Sequence, residues 1–132
     1  MKILLIDDSW EFTDNVKYLL ENDGRTVSVI DETDEAYDAI TKENLEEYDI
    51  VILDLMFTVG EKFALENLPE VGIYLYRKIR KINKKIPIVI VSALNKKRYE
   101  KYFEGDTLVQ YVSKPLSSKI EELEMAIKTF CP

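Results

Sequence analysis

The chain has 132 residues, 18 Lys and Arg against 25 Asp and Glu, one Cys and no His. That length fits one domain with a true core, and a formal net charge of −7 opposes binding of nucleic acid or anionic lipid through bulk charge. Without histidine there can be no Ser-His-Asp or Cys-His hydrolase, no His-ligated zinc and no histidine phosphocarrier.

Taken in chain order, the first element is the apolar run at 3–6, which ends in Asp7-Asp8. Phe12, Val16, Leu19 and Leu20 then recur at helical spacing, with Ser9 placed as N-cap. A second apolar run at 26–30 precedes a helix marked by Ala36, Ala39 and Ile40. A third, at 50–53, stops at Asp54. Leu75, Ile79 and Ile82 mark the third helix; the run at 86–91, with Pro87 near its start, leads to Ser92. Tyr99, Tyr102 and Phe103 mark the fourth helix. The run at 108–112 precedes Lys114, and Ile120, Leu123 and Ile127 mark the fifth helix, opened by a capping-box pattern from Ser118 to Glu121.

Continuous β-branched runs suit strands covered on both faces. Five β-α repeats therefore predict an α/β fold: a flavodoxin-like (βα)5 three-layer sandwich with a parallel sheet in the order 2-1-3-4-5. One domain spans 1–132, with no repeat or linker. No stretch reaches the roughly 18 apolar residues of a membrane span, and the N-terminal apolar run is too short for a signal peptide. Together with the unpaired Cys131, this predicts a cytoplasmic location.

Ligands of open α/β sheets bind beyond the carboxyl ends of the strands, where strand order reverses. Asp7, Asp8, Asp54, Ser92 and Lys114 all stand at such ends. Singly, each has an ordinary explanation as a cap, turn or surface residue. Together they put three carboxylates, a hydroxyl and an ammonium at one spot. Clustered carboxylates repel unless a cation joins them, and oxygen-only ligands with room for water favour Mg²⁺. One carboxylate could then act as nucleophile, with Lys114 and Ser92 holding phosphoryl oxygens. The set suits phosphoryl transfer onto an aspartate.

The motifs LLIDD at 4–8, VILDLM at 51–56, IVSA at 90–93 and YVSKP at 111–115 resemble the receiver domain of two-component response regulators over the full chain. Ser92 and Lys114 are 22 positions apart, a separation typical of that family. The resemblance implies that Asp54 is the phosphoacceptor. It also implies that Asp7, Asp8, Asp54 and the backbone carbonyl of Met56 hold Mg²⁺. Lys114 would contact the phosphoryl group, aimed by a cis bond to Pro115. Ser92 and Tyr111 would form the switch, remodelling the face of the fourth predicted helix, fifth strand and fifth predicted helix. The implied partners are a histidine kinase or phosphotransfer protein and a downstream protein target. A homodimer through the switch face is a further candidate, and neither nucleic acid nor membrane is contacted directly.

The chain reads as a stand-alone, single-domain receiver, a signalling domain that assists its own phosphotransfer and dephosphorylation. Two departures from the family pattern stand out. Thr58 replaces the usual proline, and the loop at about 57–71 before Gly72 is long, with an apolar pattern at 61–68 that predicts a short extra helix. The alternative is a phosphorylation-independent pseudo-receiver serving only as an interaction module. A haloacid-dehalogenase-type phosphatase is a poorer fit, because its second Asp would fall at position 56, which is Met.

Overall fold

The computed structural model describes residues 1–56, 70–114 and 120–132. The features expected at Thr58, at 61–68, at Pro115 and at Ser118 lie outside them. Five strands, β1 (Lys2–Ile6), β2 (Thr26–Ile30), β3 (Ile50–Leu53), β4 (Ile88–Ser92) and β5 (Val109–Ser113), form one parallel sheet in the order β2-β1-β3-β4-β5. This is the predicted order, with strand order reversing beside β1.

Alternation along each strand divides the core in two. Leu4, Ile6, Val51, Leu53, Ile88 and Ile90 point to one face, under α2 (Thr33–Ala39), α3 (Lys42–Glu46), α4 (Val71–Ile82) and α5 (Lys96–Tyr99). Ile3, Leu5, Ile50, Ile52, Val89 and Val91 point to the other, under α1 (Trp10–Glu21) and α6 (Ile120–Phe130). Because both faces are covered, the strands can be apolar throughout. Truncating one of these fully buried leucines to Ala removes about 2–5 kcal/mol.

Four local expectations are corrected. The second predicted helix is two, because Ile40 ends α2 and Thr41 caps α3, its side chain accepting from the Asn44 N–H at 3.2 Å. The fourth predicted helix is a single turn, α5, continued by a 3-10 turn at Glu100–Phe103. The chain then turns at Gly105, whose φ of 83° suits glycine. Val71, expected in the loop, begins α4. Ser9 occupies the N-cap of α1, but its side chain makes no capping bond; its backbone N–H donates to Asp7 Oδ1 at 2.9 Å instead.

Candidate functional site

The ends of β1 and β3 lie side by side, paired up to Ile6 and Leu53, so the residues that follow emerge together. Asp7 is 1% exposed and Asp54 5%, while Asp8 is partly exposed. One carboxylate oxygen from each lies within 4.8 Å of the others. Lys114 arrives from the end of β5, its backbone N–H donating to the Ser92 carbonyl at 2.9 Å. Its Nζ donates to Asp7 Oδ2 at 2.7 Å and Asp54 Oδ2 at 3.1 Å.

The second oxygens are also held. The Ser9 N–H donates to Asp7 Oδ1, and the Met56 N–H donates to Asp54 Oδ1 at 3.1 Å. Burial, then the Asp54 charge, pushes Asp7 up to about 6, against the pull of Lys114 and the Ser9 N–H. Burial also raises Asp54, with Asp8 adding to it and Lys114 and the Met56 N–H opposing. For Lys114, burial would lower the value, but bonding to Asp7 and the charges of both carboxylates outweigh it and hold the ammonium charged.

Among the described residues, three carboxylates gather around one ammonium in a mostly buried setting. A hard divalent cation with oxygen preference matches that donor set, so the residues present fit Mg²⁺.

Ser92 is fully buried at the end of β4, and its Oγ accepts from the Leu94 N–H at 3.2 Å. The Tyr111 hydroxyl donates to the Leu94 carbonyl at 2.7 Å, so the tyrosine is tied into the loop that follows Ser92. Burial pushes the Tyr111 phenol above its ordinary value, with the adjacent Ser92 hydroxyl pulling the other way. The sequence-derived set thus divides into two neighbouring groups: the acidic cluster with Lys114, and Ser92 with Tyr111. Met56, 47% exposed, borders the first.

Two contributors escape a reading of the sequence alone. Phe12 reads as part of the helical core stripe of α1, yet Lys114 Nζ lies 4.2 Å from its ring centroid, a cation–π contact that steadies the ammonium. Gly72 reads as a loop-end marker, yet its N–H donates to the Leu55 carbonyl at 3.0 Å. A Cβ there would stand 2.5 Å from the Asp54 carbonyl oxygen and closer still to Leu55 Cα. Only glycine lets α4 start against the peptide of Asp54.

The family model described as the response regulator receiver domain matches residues 3–128. The chain belongs to this family. Among relatives, the receiver is 32% identical over 127 residues to the sensory transduction protein LytR of Staphylococcus haemolyticus, covering 96% of this chain and 44% of that protein. It therefore spans less than half of that relative's length. A two-component response regulator from Clostridium difficile shares the fold at a TM-score of 0.77 and 24% identity, over 99% of this chain and 95% of that one. The response regulator protein TrrA of Thermotoga maritima, solved in complex with Mg²⁺ and BeF, shares it at 0.71 and 22%, over 98% and 97%. The receiver is thus a signalling domain of a two-component system with an acidic pocket at its strand ends. No helix among the described residues is long and apolar enough to cross a membrane.

Proposed function

We propose that the receiver, a single domain over residues 1–132, takes a phosphoryl group on Asp54 from a phosphohistidine of a separate kinase or phosphotransfer protein. The supporting observation is Lys114 Nζ bridging Asp7 and Asp54 beside Asp8. An Asp54 carboxylate oxygen attacks phosphorus, the O–P bond forms, the N–P bond breaks, and the imidazole leaves with the electron pair. Lys114 and Ser92 hold the transferred phosphoryl oxygens. Asp7, Asp8, Asp54 and the Met56 carbonyl are the residues that would hold Mg²⁺. When bound, the ion supplies positive charge against the carboxylates and the phosphoryl oxygens.

Drawing Ser92 toward the new phosphoryl group changes the loop that its Oγ holds through Leu94. Tyr111 hangs from the same loop, so its position reports on Ser92. The consequence is a shift in population on the face made by α5, β5 and α6, read by a protein target in the cytoplasm.

Acetyl phosphate with Mg²⁺, followed by intact mass, tests the chemistry. The parent gains one phosphoryl group and Asp54→Asn none; uptake by the variant, or none by the parent, rejects the assignment. Trp10, 66% exposed and close after the acidic pair, serves as a fluorescence reporter in a beryllofluoride titration. Met56 and Leu94 are apolar where polar groups would orient attacking water, so the acyl phosphate is long-lived. Met56→Asn shortens its lifetime, measured as loss of the mass adduct in buffer with Mg²⁺.

A further inference from the structure

Phe12 stands where the apolar stripe of α1 runs out. It shares that stripe with Val16 and Leu20, at four-residue spacing, on the sheet face that carries Val91 and Val112. Val16 and Leu20 are buried, whereas Phe12, one turn nearer the helix start, is only partly covered by that core. What its ring meets instead is Lys114, whose Nζ lies 4.2 Å from the ring centroid, well inside the roughly 6 Å range of a cation–π contact. The Lys114 side chain is 15% exposed. An ammonium has three N–H bonds. Asp7 Oδ2 and Asp54 Oδ2 accept from this one, and no third acceptor stands among the described residues.

We propose that Phe12 is a positioning residue for phosphoryl transfer, its ring face keeping the Lys114 ammonium on the Asp7–Asp54 pair where the phosphoryl oxygens arrive. This rests on Asp54 being the acceptor. An aromatic face attracts a cation through its quadrupole but offers no lone pair. It therefore holds the lysine without competing with the carboxylates for its protons. An ammonium fixed in this way need not reorganise as negative charge grows on the phosphoryl oxygens. An aliphatic side chain at position 12 would exclude water as well, yet exert no such pull. The flexible four-carbon stem would then let the ammonium swing toward solvent.

Phe12→Leu and Phe12→Tyr, both shown folded by circular dichroism, separate the ring from mere bulk. With acetyl phosphate and Mg²⁺, an Asp54 carboxylate oxygen attacks phosphorus and a new O–P bond forms. The bond from phosphorus to the acetyl oxygen breaks, and acetate leaves with the electron pair. Followed by intact mass, Phe12→Leu forms the adduct about tenfold more slowly than the parent, and Phe12→Tyr within about twofold of it. In metal-free protein, NMR finds the Lys114 ε-methylene protons shifted upfield by the ring in the parent and in Phe12→Tyr, but not in Phe12→Leu. Equal rates for the parent and Phe12→Leu overturn the proposal. So do equally slow Leu and Tyr variants, or Lys114 protons at ordinary shifts in the parent. A parent with the ring shift that takes up no phosphoryl group refutes Asp54 as acceptor instead, and the positioning role falls with it.

Discussion

Where β1 and β3 end, three carboxylates gather near one lysine; where β4 and β5 begin, one arginine holds a carboxylate and three backbone carbonyls. Arg80, in the last turn of α4, donates from Nε to Asp106 Oδ2 at 2.6 Å and from Nη1 to the Ile86 carbonyl at 2.6 Å. It also reaches the Asn83 and Leu108 carbonyls at 3.2 and 3.3 Å. Asp106 further accepts from the Tyr76 hydroxyl at 2.6 Å and the Leu108 N–H at 3.0 Å. Burial alone would raise Asp106, but its bonds to Arg80 and Tyr76 outweigh it and hold the carboxyl below the ordinary range. At the opposite end Asp7 is pushed up to about 6. The same sheet thus carries one charge cluster that is balanced and one in which, among the described residues, three carboxylates share one ammonium.

The largest expected effect comes from breaking the balanced end. Arg80→Ala leaves a mostly buried carboxylate and several backbone carbonyls without their donor, and costs about 3–5 kcal/mol in urea unfolding. Arg80→Lys recovers only part, since one ammonium cannot span these acceptors.

Relieving the unbalanced end has the opposite sign. In metal-free protein at pH 7, Asp7→Asn stabilises the fold by about 1–3 kcal/mol, because an ionised, buried carboxylate beside Asp54 is removed. Mg²⁺ then raises the Tm of the parent more than that of the variant. The pH profiles also differ in sign. Asp7 binds its proton more tightly when folded, so its contribution makes stability fall as pH rises from about 4 to about 6. Asp106 releases its proton more readily when folded. Its contribution is complete above the ordinary carboxylate range and is lost as pH falls through the lowered value. Asp106→Asn therefore flattens the acid limb of the stability curve, and Asp7→Asn flattens the decline above it. The smallest effect is that of Tyr76→Phe, which removes one hydrogen bond at the balanced end and costs about 0.5–1.5 kcal/mol.

The two ends were not equally visible in the sequence. The acidic cluster, Ser92 and Lys114 could be read because each stands at the end of a strand predicted from an apolar run, and strand ends in a parallel sheet converge. The Arg80 knot could not be read that way. Arg80 stands in a run of basic residues on an ordinary amphipathic helix, and its partner Asp106 lies 26 positions away in a connecting turn. Helix lengths were the other weakness. Ala36, Ile40 and Leu45 keep roughly helical spacing through the break at Thr41, and Tyr99, Tyr102 and Phe103 keep it through a change to 3-10 geometry. Apolar spacing reports which residues face the sheet, not whether the backbone between them stays α-helical.

Gly72 links the chemistry to the outer surface. With no side chain between them, the backbone of α4 rests directly on the peptide that carries Asp54, and nothing compressible separates the two. The base of a twelve-residue helix is therefore seated on the backbone of Asp54 and Leu55. One helix, α4, thus runs from the backbone beside the acidic cluster to Arg80, whose guanidinium holds the carbonyl that precedes β5.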